Sequence, residues 1–313
     1  MDNKQELNVQ QLIEQKKQSK NMHAIIEKII PYVLLTVAII SVLTTVGIVL
    51  TLIVETLMFF DRISIVEYIT GTMWYPFSET MGSYGVLPLV VGTIKVALIA
   101  AVFAVPVGLG AAIYLSEYAS DKARRIIKPI LEILAGVPTI VYGFFALTFV
   151  TPMLQKLIPS LEMFNALSPG LVIGVMIIPM IASLTEDALT AVPQSLREGA
   201  LALGSTKFEV AIKVVLPAAI SGIIASIVLA ISRAIGETMI VAVAGGSTPN
   251  MSLDVTSGIQ TMTAYIVQVS QGDAGFGTTI YYSIYAVGFT LLLFTLLMNI
   301  IAFYVKKRFK EEY

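Results

Sequence analysis

The chain alternates between long apolar runs and short polar segments. A transmembrane helix needs about 20 mostly apolar residues. Six runs reach that length, at 31–57, 88–115, 126–150, 170–192, 218–244 and 280–304. The pattern predicts an all-α, polytopic membrane protein with six transmembrane helices. Because the first twenty residues are polar and the first apolar run is too long for a signal-peptide core, we expect that run to be an uncleaved span.

The basic residues fall on one side of this arrangement. With the N-terminus inside, all but four of the 20 Lys and Arg residues lie in cytoplasmic segments. Arg62 and Lys156 lie in external loops, and Lys95 and Arg233 lie within spans. Since cytoplasmic loops are enriched in Lys and Arg, both termini are predicted to be cytoplasmic, as tails 1–28 and 305–313.

Composition supports a bilayer environment and excludes several functions. The chain is 56% hydrophobic and 13% charged, with a mean hydropathy of +0.84. Cysteine is absent, which excludes disulfides and thiolate chemistry. A net charge of −1 argues against nucleic-acid binding. The single histidine, His23, and the lack of any Gly-Lys pair leave no metal cluster or phosphate loop, so we expect neither a cofactor nor an enzyme.

One segment in which polar residues alternate with apolar ones separates the fourth and fifth runs. It reads EGALALGSTKFEVAIKVVLP over 198–217, with Gly204 four residues after Ala200. This segment resembles the EAA loop of ATP-binding cassette (ABC) importer permeases, with Gly199 and Val214 as conservative departures. The resemblance implies a short cytoplasmic helix in the coupling loop 194–217 that docks into an ATPase subunit. The residues that carry this coupling role are Glu198, Gly199, Ala200, Gly204, Leu216 and Pro217.

Two charged residues lie inside the fifth run. Arg233 falls near mid-depth and Glu237 one turn further out, where a charge costs about 2.5–3.5 kcal/mol on insertion scales. On a continuous helix this i, i+4 spacing puts both on one face, close enough to pair. Two interpretations stay open: a self-neutralising ion pair, or a translocation path in which the guanidinium binds an oxyanion.

Other charges near the predicted membrane have simpler interpretations. Lys95 lies about two turns into the second span, either snorkelling to the headgroups or attracting anions in an outer vestibule. Glu132 is expected to be exposed at the membrane interface. Glu186 and Asp187 are expected to form a solvated helix end at the cytoplasmic side.

Several strings resemble phosphate importer permeases of the PstC type. They are SRAIGETMIVAVAGG (232–246), FAVPVGLGAAIYLSEYAS (103–120), GVPTIVYGFFAL (136–147), TGTMWYPFSE (70–79) and YGVLPLVVGT (84–93). The resemblance implies a type I ABC importer permease fold. It divides the chain into a first span with its external loop, 29–84, and an ABC type-1 transmembrane domain, 85–304. In that family, the residues that match Arg233 and Glu237 are implicated in transport.

The resemblance also implies partners and a substrate. It implies a permease subunit that moves inorganic phosphate across the cytoplasmic membrane, driven by a PstB-like ATPase dimer. A PstA-like second permease and an extracytoplasmic PstS-like binding protein would complete the assembly within membrane lipid. The residues alone show an intramembrane cation suited to an anion. They leave open another oxyanion, such as sulfate or molybdate, or a non-transporting membrane scaffold or sensor.

Overall fold

A computed structural model describes residues 3–78, 82–272 and 274–308 of the chain. Glu79, in the string 70–79, and most of the predicted C-terminal tail lie outside the described residues. The first half contains α1 (Asn3–Phe60), α2 (Ile65–Thr70), β1 (Trp74–Tyr75), β2 (Ser83–Tyr84), α3 (Leu87–Ile113), α4 (Asp121–Gly136), α5 (Thr139–Phe145) and α6 (Thr151–Gln155). The second half contains α7 (Leu167–Thr190), α8 (Gln194–Ala202), α9 (Lys207–Val210), α10 (Leu216–Ala218), α11 (Ile220–Ile235), α12 (Met239–Ala244), α13 (Met262–Gln271) and α14 (Thr279–Arg308). Three single-turn π-helices, Tyr114–Tyr118, Ala146–Val150 and Ala211–Val215, join neighbouring α-helices.

The chain divides into two compact units after Val54. The first unit is helical throughout its described part and carries exposed apolar side chains from Ile29 onward. The second unit holds every other element, including the short antiparallel pairing of β1 with β2. The predicted all-α class is confirmed, since helices form nearly all of the regular structure.

Four helical segments are long and apolar enough to cross a membrane alone. They are Glu27–Phe60, Leu87–Tyr118, Leu167–Thr190 and Thr279–Tyr304. Two bent pairs, Asp121–Gly136 with Thr139–Gln155 and Lys207–Ala218 with Ile220–Ile235, bring the count to as many as six within the described residues. The first, second, fourth and sixth predicted runs therefore each correspond to a continuous helix.

The third and fifth predicted runs are not continuous helices. The third bends by 88° between α4 and α5, at Val137 and Pro138. A residue before proline is driven to extended backbone, and Val137 has ψ of 130°. The fifth run begins with a 72° bend before α11, and its helix ends at Ile235 and resumes at Met239.

The main core lies between α3 and α7. Gly108 faces Ile181, and a Cβ at Gly108 would lie 2.8 Å from that side chain. Gly174 faces Phe103 in the same way, at 2.9 Å. Because both glycines lack a side chain, the two helices approach closely and bury a shared apolar face that also packs on α11 and α12.

A second core is aromatic and lies at the end of the molecule that carries the β-pair. Phe59, Tyr68, Trp74, Tyr84 and Tyr265 are buried and meet edge to face, with Trp74 and Tyr265 centroids 4.8 Å apart. Such pairs add about 0.5–1.5 kcal/mol beyond their buried area. The segment after α1, predicted as an external loop, is therefore held firmly onto α13 and α14.

Candidate transport and coupling sites

The predicted coupling loop forms a helix, a tight turn and a second helix. The turn follows α8 at Gly204, whose φ is +88°, a conformation that residues with a side chain rarely adopt. The N–H of Ser205 donates to the Ala200 carbonyl at 3.2 Å across this turn. Thr206 then begins α9 through reciprocal hydrogen bonds with Glu209, a capping box. The turn after α8 and the start of α9 thus follow local signals in the sequence.

The loop exposes apolar side chains beside the turn. Leu203 is 90% exposed and Phe208 is 66% exposed, more than the nearby Leu201 at 44%. Glu198 and Gly199 are exposed as well, whereas Ala200 is partly buried. Leu216 is half-buried and Pro217 exposed, with Leu216 packed on the third core cluster. Isolated exposed apolar groups are ordinary, but two large ones flanking a rigid turn form a surface suited to a partner.

Arg197 fixes this loop to the ends of two long helices. Its guanidinium donates to the Leu189 carbonyl at 2.7 Å and to the Val192 carbonyl at 2.8 Å, where α7 ends. The same group forms an ion pair with Glu117 at 3.2 Å, just beyond α3. Both side chains are largely buried. Arg197 therefore connects α8 directly to the ends of α3 and α7.

Glu237 caps a helix and does not pair with Arg233. Its carboxylate accepts hydrogen bonds from the N–H groups of Met239 at 3.1 Å and Ile240 at 3.4 Å, at the start of α12. Its own carbonyl accepts a hydrogen bond from the Thr263 hydroxyl at 2.8 Å. Of the two interpretations left open, the ion pair on a continuous helix is wrong, because α11 ends before Glu237 and the N–H groups at the start of α12 bind its carboxylate.

Arg233 lines a cavity of about 390 Å³ between α4, α7 and α11. Its side chain is exposed there and, among the residues that the structure describes, makes no hydrogen bond or ion pair. Lys128, Glu132, Ser183 and Glu186 supply the other polar groups of the wall. The remaining lining, which includes Met176, Pro179 and Met180, is apolar. An unpaired guanidinium in this wall offers an anion a planar fork of N–H donors that matches the oxygens of an oxyanion.

Glu186 is buried and ion-paired, which corrects the expectation of a solvated helix end. Only 2% of its side chain is exposed, and its carboxylate lies 2.8 Å from Lys128 Nζ and 3.4 Å from Arg124 Nε. Asp187 alone is exposed, as expected. The 88° bend after α4 lays that helix across α7 and brings its cations to Glu186. The i, i+4 spacing of Arg124 and Lys128 was the available signal, but their acid lies more than fifty residues away in the chain.

Lys95 is buried and tied to an external loop. It is 7% exposed, and its ammonium donates to the carbonyl of Asp254 at 3.1 Å. Thr256 donates its backbone N–H and hydroxyl to the Asp254 carboxylate, which holds the pKa of Asp254 below its usual range. The loop is also pinned where the N–H groups of 166 and 167 donate to the Val255 carbonyl. Lys95 neither reaches headgroups as an exposed side chain nor lines the cavity that contains Arg233.

The three predicted path residues are therefore separated. Arg233 faces the cavity, Glu237 caps α12, and Lys95 anchors the loop around Asp254. Among the described residues, no group of three His, Cys, Asp or Glu side chains is placed to bind a metal ion.

Comparisons with known proteins agree with this architecture. The family model for binding-protein-dependent transport system inner membrane components matches residues 104–311. A probable ABC transporter permease protein, YqgH of Bacillus subtilis (strain 168), is 32% identical over 253 residues, covering 80% of this chain and 80% of that protein. The phosphate transport system permease protein PstC of Xylella fastidiosa (strain 9a5c) is 35% identical over 257 residues, covering 76% and 77%.

A solved structure shares the fold at low sequence identity. It is a bacterial alginate ABC transporter in complex with an alginate pentasaccharide-bound periplasmic protein, with a TM-score of 0.63 and 15% identity. The match covers 88% of this chain and 94% of the solved chain. At this identity the likeness concerns the arrangement of helices.

Proposed function

The chain belongs to the family of binding-protein-dependent transport system inner membrane components, and we propose that it is the permease subunit of an ATP-driven importer of inorganic phosphate. Relatives such as the Xylella protein carry that substrate in their names and match three quarters of this chain. ATP would be hydrolysed by a separate subunit, as the missing Gly-Lys pair requires. The protein is a multi-pass membrane protein, and we propose that both of its termini are cytoplasmic.

One observation carries the anion path: Arg233 presents a guanidinium without a partner in the cavity between α4, α7 and α11. A planar guanidinium offers a fork of N–H donors that matches the oxygens of a tetrahedral oxyanion. An anion crossing a bilayer otherwise meets a large electrostatic barrier, which a fixed cation lowers. Glu237 supports this path indirectly, since it holds the α11–α12 break in place one turn beyond Arg233.

The coupling surface is proposed to be the α8–α9 turn. Leu203 and Phe208 project beside Gly204, and a groove on an ATPase would cover these exposed apolar side chains. Arg197 then links that contact to the end of α3 and to α7, which lines the cavity. The full assembly would contain a PstB-like ATPase dimer, a PstA-like second permease and a PstS-like binding protein outside.

Reconstitution tests this function. The chain would be co-purified with an ATPase, a second permease and a secreted binding protein from the same operon, and placed in vesicles that contain ATP. We expect labelled phosphate uptake that depends on ATP and is competed by unlabelled phosphate, but not by sulfate or molybdate. Equal competition by sulfate or molybdate would show that the importer is not specific for phosphate and would favour another oxyanion as its substrate. Normal assembly without any ATP-dependent anion uptake would favour the scaffold or sensor.

A further inference from the structure

Two oppositely charged side chains in the cavity have no partner. Arg233 is one, and Glu132 on α4 is the other: it is exposed and, within the described residues, makes no hydrogen bond or ion pair. The same open cavity of about 390 Å³ therefore presents both a set of free N–H donors and a free carboxylate acceptor.

The other charged groups nearby are already engaged. Glu186 and Lys128 line the cavity but bind each other at 2.8 Å, with Arg124 as a second cation on Glu186. Glu237 directs its carboxylate to backbone N–H groups at the start of α12. Elimination leaves Glu132 as the acid that is free to meet an anion held by Arg233.

We propose that Glu132 determines which oxyanion the cavity accepts, by accepting a hydrogen bond from a protonated oxygen of an anion bound to Arg233. This inference rests on the proposed function. It specifies the anions that the proposed path accepts, which are tetrahedral oxyanions that keep a proton at neutral pH. Such an anion has both the acceptor oxygens that Arg233 needs and the single O–H donor that Glu132 needs.

The chemistry separates phosphate from its isosteres. Phosphate carries at least one P–OH group at neutral pH, whereas sulfate carries no proton. A carboxylate can only accept, so it faces sulfate as an unpaired like charge and faces phosphate as a hydrogen-bond partner. Sites built around one required hydrogen bond reject analogues that lack it by far more than a shape difference does. We therefore expect at least about a tenfold preference for phosphate within the cavity.

A single engineered thiol makes this binding measurable without transport. The chain has no cysteine, and Ser183 lines the cavity with an exposed side chain, so Ser183→Cys gives this subunit a single reporter thiol, whose labelling is read on this subunit after separation from the others. The assembled transporter carrying it would be labelled with a thiol-specific maleimide at neutral pH, in increasing inorganic phosphate or sulfate. Ser270→Cys, exposed on α13 and outside the cavity, serves as the control thiol.

The expected results are specific to Glu132. Phosphate should slow labelling of Ser183→Cys at a concentration at least about tenfold lower than sulfate does, and neither anion should slow labelling of Ser270→Cys. Adding Glu132→Gln should bring the two anions within about threefold of each other, while Asp187→Asn, which removes an exposed carboxylate outside the cavity, should keep the full preference.

Two results would overturn the inference, and they are distinguishable. If phosphate protects the thiol and Glu132→Gln leaves the preference unchanged, Glu132 is not the acceptor, although the proposed phosphate path stands. If neither anion slows labelling of Ser183→Cys when Glu132 is present, the cavity is not an anion site and the proposed path fails with it. The same holds if the anions slow labelling of Ser270→Cys as much as that of Ser183→Cys.

Discussion

The ion pairs of Glu186 predict that removing the two cations destabilises the protein more than removing the acid does. Its carboxylate is 2% exposed, whereas the side chains of its partners Arg124 and Lys128 are 34% and 40% exposed. Removing the acid leaves two cations that water can reach. Removing both cations leaves a carboxylate that water cannot reach. The two perturbations break the same ion pairs, so the difference between them, corrected for the Arg124–Leu115 hydrogen bond, measures the cost of the stranded buried charge.

The magnitudes follow from that exposure. A buried charge without compensation costs about 3–5 kcal/mol, so the double variant Arg124→Gln, Lys128→Gln should lose about that much free energy of unfolding. Glu186→Gln loses charge-assisted contacts to partly solvated groups, for which about 1–2 kcal/mol is expected. The triple variant, which combines Glu186→Gln with both cation substitutions, should recover most of the difference. All three side chains are then neutral, so no buried charge is left without a partner.

Unfolding in mixed micelles, by titration with dodecyl sulfate, gives the three free energies on one scale. Arg124 also donates to the Leu115 carbonyl at 2.6 Å, and the triple variant loses that bond as well, so it controls for this loss. A double variant no less stable than Glu186→Gln would refute the reasoning, as would a triple variant that recovers nothing over the double variant.

Three further predictions concern coupling, the external loop and topology. Gly204→Val should stay in the membrane but release the ATPase in co-purification and stop uptake, because a φ of +88° costs a side-chain-bearing residue about 1–2 kcal/mol. The control Gly47→Val, in open space on α1, should keep both, and ATPase retention by Gly204→Val would contradict the assignment. Lys95→Met should speed hydrogen exchange around Asp254, whose carbonyl loses its donor, and unchanged exchange would exclude this anchoring. A tag after Tyr313 should react only from the cytoplasm, and external reactivity would reject six spans.

The sequence was sufficient wherever the signal is local. Hydrophobic run length predicted four continuous spans with ends within a few residues, and the all-α class followed from it. The coupling loop carries local signals too: Gly204 lies at the turn where a positive φ is needed, and Thr206 with Glu209, a capping box that was not predicted, begins the next helix. These features depend on residues within one or two turns of each other.

The rest depends on contacts between distant segments. Arg233 and Glu237 have the spacing of a pair, but the helix end at Ile235 gives Glu237 closer backbone donors, and no i, i+4 rule can foresee that competition. Apolar run length also failed to predict the bend at Pro138, although the proline is itself a local signal for a helix break. Glu132 and Lys128 of α4 reach the wall of the cavity, and Glu186 is buried, only because α4 packs on α7. The site therefore depends on tertiary packing between helices that are distant in the sequence.

Phosphate uptake by Arg233 variants tests the central claim most directly. Cells without other phosphate transporters would carry the complete system, with membrane abundance checked for each variant. Arg233→Gln should assemble and lose about tenfold to a hundredfold in uptake of labelled phosphate, because the cavity loses its free cation. Arg233→Lys should rescue only in part, since it keeps the charge without the fork of donors. Arg125→Gln, which removes an exposed arginine outside the cavity, should transport normally. Full uptake by Arg233→Gln at normal abundance would contradict the account.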